Sequence, residues 1–80
     1  MPLSDRQIKA LRYLGDRKTA TTGNVARELE VSRRTALNDL RLLADSKLVF
    51  VDRNTWPASW ALTDIGSALV AAANFQREPS

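Results

Sequence analysis

Apolar residues recur at helical spacing over most of the chain and crowd together only near residue 50. Ile8, Leu11 and Leu14, with Ala10 and Tyr13 beside them, make a stripe of 3.6-residue period that predicts a first helix. Ser4 is placed to cap it, and Gln7, three residues on, completes a capping box. Leu3 and Ile8 take the staple positions on either side of that cap. Gly15 is the expected stop, because glycine accepts the left-handed conformation beyond a last turn. Arg6, Lys9 and Arg12 share the outer face and read as solvated. Residues 19–21 suit a very short strand. Thr21 or Thr22 then caps a short helix over 23–29, with Val25, Ala26 and Leu29 inward and Asn24, Arg27 and Glu28 outward.

Glu30 and Val31 form a tight turn, and Ser32 caps a third helix over 33–46. On a wheel advancing about 100° per residue, Ala36, Leu40, Leu43 and Lys47 fall in one arc of about 60°. Arg33, Arg34, Leu37, Asn38 and Arg41 fall in an adjoining arc of about 140°. The first arc is expected to face the core and the second to face out. Residues 48–51 are β-branched and aromatic, 52–57 are turn formers, and 59–62 return as a second strand, so a hairpin is expected. Thr63 caps a fourth helix over 64–76, with Asp64 complementing its dipole. Ile65, Leu69, Ala72 and Phe75 or Gln76 mark its inner stripe, and Val70 and Ala73 widen the apolar surface. The expected fold is mainly α with a small β-hairpin (α+β), in the order helix, short strand, helix, helix, strand, strand, helix. One domain fills 1–80, its ordered core covers about 4–76, and 77–80 read as a frayed tail.

Composition narrows the chemistry. Eighty residues hide only about 60% of the surface of the unfolded chain, which leaves little room for a deep substrate cavity. Cysteine and histidine are absent, which excludes thiol nucleophiles, disulfides, imidazole bases and the usual zinc sites. The carboxylates are scattered, and there is no glycine-rich phosphate loop or nucleophile elbow. The expectation is a protein that is not an enzyme, with no cofactor, no metal and no evident small-molecule ligand. The apolar runs fall short of the ~18 residues that span a bilayer, and no signal segment opens the chain, so no membrane partner and a cytoplasmic, nucleoid-associated location are expected. Twelve Lys+Arg against nine Asp+Glu give a net charge of +3, which favours polyanionic partners.

The order of elements adds to this. A short second helix joined to a third by a turn forces a steep crossing and leaves the third helix projecting. Such a helix, about 10–12 Å wide, matches the DNA major groove. The stretch from Thr22 through Ala36 resembles the helix-turn-helix core of winged-helix transcription regulators. Leu40-Arg41-Leu42-Leu43 followed by Leu48-Val49 resembles the end of their recognition helix and the start of the wing. Trp60-Ala61-Leu62-Thr63-Asp64-Ile65-Gly66 is similar to the segment that closes the wing in MarR-like and PadR-like regulators, a group to which small phage- and archaeal-type winged-helix proteins are related. Such regulators usually carry glycine where this chain has Lys47, and a side chain in a left-handed conformation there costs about 1 kcal/mol.

The resemblance implies a sequence-specific binder of double-stranded DNA, used in transcription regulation or repression. Helix 33–46 would lie in the major groove, and the wing, about 52–58, on backbone or minor groove. Arg33 and Arg34 oppose the positive end of their helix dipole, and a phosphate or guanine edge would offset that. Asn38, one turn on, matches the donor–acceptor pair of adenine, or else simply faces solvent. Thr35 suits a thymine methyl or a phosphate, and Arg41 a phosphate. Thr22 and Ser32 are caps that also aim helix amides at phosphates. Leu37 is either a thymine-methyl contact or rim packing, and Arg53 either a minor-groove probe or a solvated turn residue. Trp60 is expected in the core, while Trp56 is left open.

Leu69, Val70 and Ala73 make the last helix apolar on several sides, which suggests a homodimer through it. The rival function is a protein–protein docking module. The Pro57-x-x-Trp60 spacing also resembles the wing of Z-form nucleic-acid binders. Those need an asparagine and a tyrosine one turn apart on the recognition helix, where this chain has Leu37 and Arg41.

Overall fold

The computed structural model describes residues 3–76, with side chains to residue 72. Phe75, Gln76, Ala73 and the tail 77–80 therefore bear calls that lie outside the described side chains. The elements are α1 (Asp5–Arg17), β1 (Ala20–Thr21), α2 (Thr22–Leu29), α3 (Arg33–Asp45), β2 (Val49–Asp52), β3 (Ser59–Leu62) and α4 (Asp64–Gln76). This is the expected order. The capping box of α1 is formed on both sides: Ser4 Oγ accepts the Gln7 amide at 3.1 Å, and Gln7 Oε1 accepts the Ser4 amide at 3.0 Å.

The core lies where α1, α2 and α3 meet the sheet. Leu14, Val25, Leu40 and Leu43 are fully enclosed there, and Trp60 covers them from β3. Burying each of the leucines contributes about 1.5–3 kcal/mol. The sheet has three antiparallel strands in the order β1-β3-β2. Trp60 is central, paired with Ala20 on one side and Val51 on the other. The Trp56–Pro57 peptide is cis.

Several expectations need correction. Gly15 does not end α1; the helix runs on to Arg17, and Lys18 closes it with φ 72°, its backbone N–H donating a hydrogen bond to the Leu14 carbonyl at 2.8 Å. A Cβ on Gly15 would meet Val70 Cγ1 at 3.4 Å and Leu62 Cδ1 at 3.6 Å, so this glycine marks where α4 crosses. Thr21, not Thr22, caps α2, its hydroxyl accepting the Asn24 amide at 3.1 Å. Helix α3 ends at Asp45, and Lys47 is exposed rather than part of the core arc. Lys47 takes φ 66°, in the left-handed region that favours glycine. The hairpin starts at Val49 and takes in Asp52.

The largest correction concerns α4. Its expected inner residues face out: Ile65 is 59% exposed, Leu69 40%, and Ala72 is exposed as well. The inner line runs instead through buried Gly66 and half-buried Val70, which packs on the core. Steric necessity chooses that face. A Cβ on Gly66 would sit 2.0 Å from the Leu48 carbonyl oxygen. Only a residue without a side chain lets the start of α4 press onto the α3–β2 turn. Thr63 locks the contact: its amide donates to the Leu48 carbonyl at 3.0 Å, its hydroxyl donates to the Lys47 carbonyl at 2.5 Å, and that hydroxyl accepts the Gly66 amide at 3.0 Å.

Candidate nucleic-acid interface

The α2–turn–α3 unit is built from short-range bonds. Glu30 ends α2 in a left-handed conformation (φ 58°, ψ 45°), and the Val31 amide reaches back to the Ala26 carbonyl at 3.0 Å. Ser32 then opens α3: its Oγ accepts the Thr35 amide at 3.2 Å and donates to Thr35 Oγ1 at 3.0 Å. With the turn closed this tightly, α3 leaves α2 at a steep angle and shows one long face to solvent.

On that face Arg33, Arg34, Asn38 and Arg41 are all exposed. Among the described residues none of these arginines, nor Arg53, takes part in an ion pair. The first turn of α3 holds two guanidinium groups and no acidic residue, so cationic side chains stand beside the positive end of the dipole. That repulsion is relieved by an anion placed between them. Ala36, Leu40 and Leu43 seal the opposite face, as the wheel predicts.

A groove of about 510 Å³ runs between α3 and the wing. Leu37, Arg41 and Asp45 line it from α3, and Val51, Arg53 and Trp60 from the hairpin. Thr22 lies at its edge, with its hydroxyl accepting the Trp60 indole N–H at 2.9 Å. Leu37 is half-buried and packs against the core, so its rim role is met, while one side still lines the groove. The candidates thus fall into two groups. Ser32, Arg33, Arg34, Thr35 and Asn38 lie along the open part of α3. Thr22, Leu37, Arg41 and Arg53 meet in the groove beside it.

Four residues escaped the sequence reading. Asp39, counted among scattered carboxylates, is only 4% exposed, and Arg6 is not simply solvated: its Nε donates to Asp39 Oδ2 at 2.6 Å and its Nη2 to Oδ1 at 3.2 Å. The bidentate pair ties α1 to the exposed helix. A wheel places Asp39 between the basic arc and the core, but nothing local names a partner 33 positions away. Asp45, another of those carboxylates, lines the α3–wing groove. Arg12 was assigned to the solvated face too, yet it is half-buried and its Nε is enclosed without a hydrogen-bond partner.

No family model matches the sequence, and no curated protein matches it. Solved structures do. A MarR family protein from Bacillus stearothermophilus is 18% identical over 96% of this chain and 55% of its own, with a TM-score of 0.88. A MarR family transcriptional regulator from Silicibacter pomeroyi is 17% identical over 94% of this chain and 54% of its own, with a TM-score of 0.85. MepR of S. aureus, in a DNA complex, is 27% identical over 90% of this chain and 62% of its own, with a TM-score of 0.81. The chain spans roughly half to three-fifths of the length of these proteins. No described helix is long and apolar enough to cross a membrane. With its four helices, its three-stranded antiparallel sheet and its projecting α3, the chain has the winged-helix fold.

Proposed function

We propose that this protein binds double-stranded DNA in a sequence-specific way and acts as a transcription regulator. Helix α3 enters the major groove, with Arg33, Arg34 and Asn38 against base edges, Thr35 on a thymine methyl or a phosphate, and Arg41 on a phosphate. Ser32 sets the α3 amides toward the backbone, Thr22 lines the groove beside α3, and Arg53 approaches the flanking minor groove. The observation that carries this reading is the row of exposed, unpaired guanidinium groups on a helix whose other side is sealed into the core. The likeness to MepR, solved with DNA, supports it.

A second copy of the chain fits the reading. Ile65, Leu69 and Ala72 form an outward apolar stripe on α4, and a twofold contact there sets two α3 helices against half-sites about one DNA turn apart. The same stripe favours the alternative, a docking module within a larger assembly.

Selection from random duplex DNA tests the proposal. A palindromic consensus is the expected result; absence of enrichment supports docking instead. Contact with four to six phosphates lowers affinity by about two to three powers of ten between about 50 and 200 mM salt. Docking through the α4 stripe responds little to salt. Replacing both Arg33 and Arg34 with Ala abolishes retention on DNA and leaves the thermal transition in place, because neither side chain holds the fold.

A further inference from the structure

Trp56 is the most exposed of the large apolar residues described, at 95%, whereas the other tryptophan, Trp60, is 6% exposed in the core. Leaving an indole bare in water forgoes one of the largest apolar burials a side chain offers. Its neighbours in the loop, Arg53, Asn54, Thr55 and Pro57, are exposed too, and the other exposed large apolar side chains, Leu42, Phe50, Ile65 and Leu69, lie on α3, β2 and α4.

The loop that carries Trp56 is internally braced. Asp52 Oδ1 accepts the Asn54 amide at 2.9 Å, and the Thr55 hydroxyl lies 3.2 Å from both the Pro57 carbonyl and Ser59 Oγ. Asp52 and Ser59 are the last register partners before the turn, so the tip is the short segment 53–58. Arg53, three residues before Trp56, lines the groove it shares with Arg41 of α3. The indole therefore extends from the margin of the basic face on a support whose ordering cost is already met.

We propose that Trp56 is a DNA-reading residue of the wing: the indole enters the minor groove beside Arg53 and wedges against a base step. Apolar wedges of this kind partly unstack a step and bend the duplex, and they favour the deformable pyrimidine–purine steps. The cation and the aromatic plane divide the work. Arg53 is drawn by the negative potential of a narrow groove, and Trp56 supplies stacking that a second cation lacks. The inference rests on the duplex reading of α3 and adds a specificity determinant to it.

The test uses the whole chain and a labelled A·T-rich duplex of about two turns at low salt. Binding is followed by anisotropy of the DNA label, and Trp56 by its own emission and by quenching with acrylamide. Trp56→Phe identifies the exposed component, since Trp60 is enclosed. Binding is expected to quench that component and shield it from acrylamide, and a small minor-groove ligand is expected to restore it. Trp56→Ala is expected to weaken binding about tenfold, and Trp56→Phe by less, because a ring remains to stack. Anisotropy that rises while the indole stays bright and accessible overturns the Trp56 assignment and leaves the α3 reading standing. Anisotropy that does not rise at all overturns both. An indole shielded by raising the protein concentration, with no DNA present, overturns the assignment in favour of a protein contact.

Discussion

Helices α3 and α4 are each thirteen residues long, and each lies at the edge of the same core, yet they obey different rules. In α3, polar residues mark the outside, so spacing alone separates the enclosed Ala36, Leu40 and Leu43 from the exposed arginines. In α4, apolar residues lie on every side, and spacing offers several inner faces. The largest side chains, Ile65 and Leu69, suggest one face; the smallest residue, Gly66, takes the other. Hydrophobic pattern orients a helix when the competing face is costly to bury. Where both faces are cheap to bury, closeness of approach chooses.

The sharpest way to break that contrast is Gly66→Ala. The new methyl meets a backbone carbonyl at 2.0 Å, and backbone cannot swing aside as a side chain does. A loss of about 3 kcal/mol or more is expected, read as a fall of more than about 10 °C in the melting temperature. Next come two leucines near the middle of their helices. Leu40→Ala removes a fully enclosed side chain and is expected to cost about 2–5 kcal/mol. Leu69→Ala, at a position 40% exposed, is expected to cost under about 1 kcal/mol in the dilute chain; equal denaturation midpoints for the two variants would refute the inverted reading of α4.

Arg6→Ala ranks third. It leaves the enclosed Asp39 carboxylate without its partner, at a cost of about 1–3 kcal/mol, moderated because Arg6 itself is half in solvent. A double-mutant cycle with Asp39→Ala measures the coupling between α1 and α3 directly. The smallest effect has the opposite sign. Gly15→Ala meets only ordinary contacts at 3.4 and 3.6 Å within a helix, so a gain of about 0.5–1 kcal/mol in urea unfolding is expected. One glycine that cannot be replaced and one that is better replaced would show that spacing to the neighbouring element, not residue type, sets the value of each.

Much of the fold was legible locally. The Ser4–Gln7 box, the Ser32 cap, the inward set of α2 and Ala36, Leu40 and Leu43 of α3 depend on residues within one or two turns of each other, and all of them formed as read. The exposed arginine face was legible for the same reason. What stayed hidden depended on distant neighbours. Gly15 resembled a stop until α4 crossed it, and Asp39 resembled a surface carboxylate until Arg6 reached it. Trp56 could not be placed because its exposure is a property of the hairpin tip as a whole. Lys47 shows a subtler case: its left-handed conformation closes α3 locally, the Lys47 amide reaching the Ala44 carbonyl at 2.9 Å and the Leu48 amide the Leu43 carbonyl at 3.0 Å, while Thr63 adds a bond to the Lys47 carbonyl from beyond the hairpin.

The Arg6–Asp39 pair has a consequence for how the molecule meets a polyanion. Asp39 belongs to the helix that presents the arginines, next to Asn38, and a bare carboxylate there would push phosphates away. Arg6 cancels that charge from behind while leaving the front face untouched. The opening helix is thus an electrostatic counterweight as well as a strut, and a change near the beginning of the chain alters the field in front of the arginine face, where the proposal places a duplex.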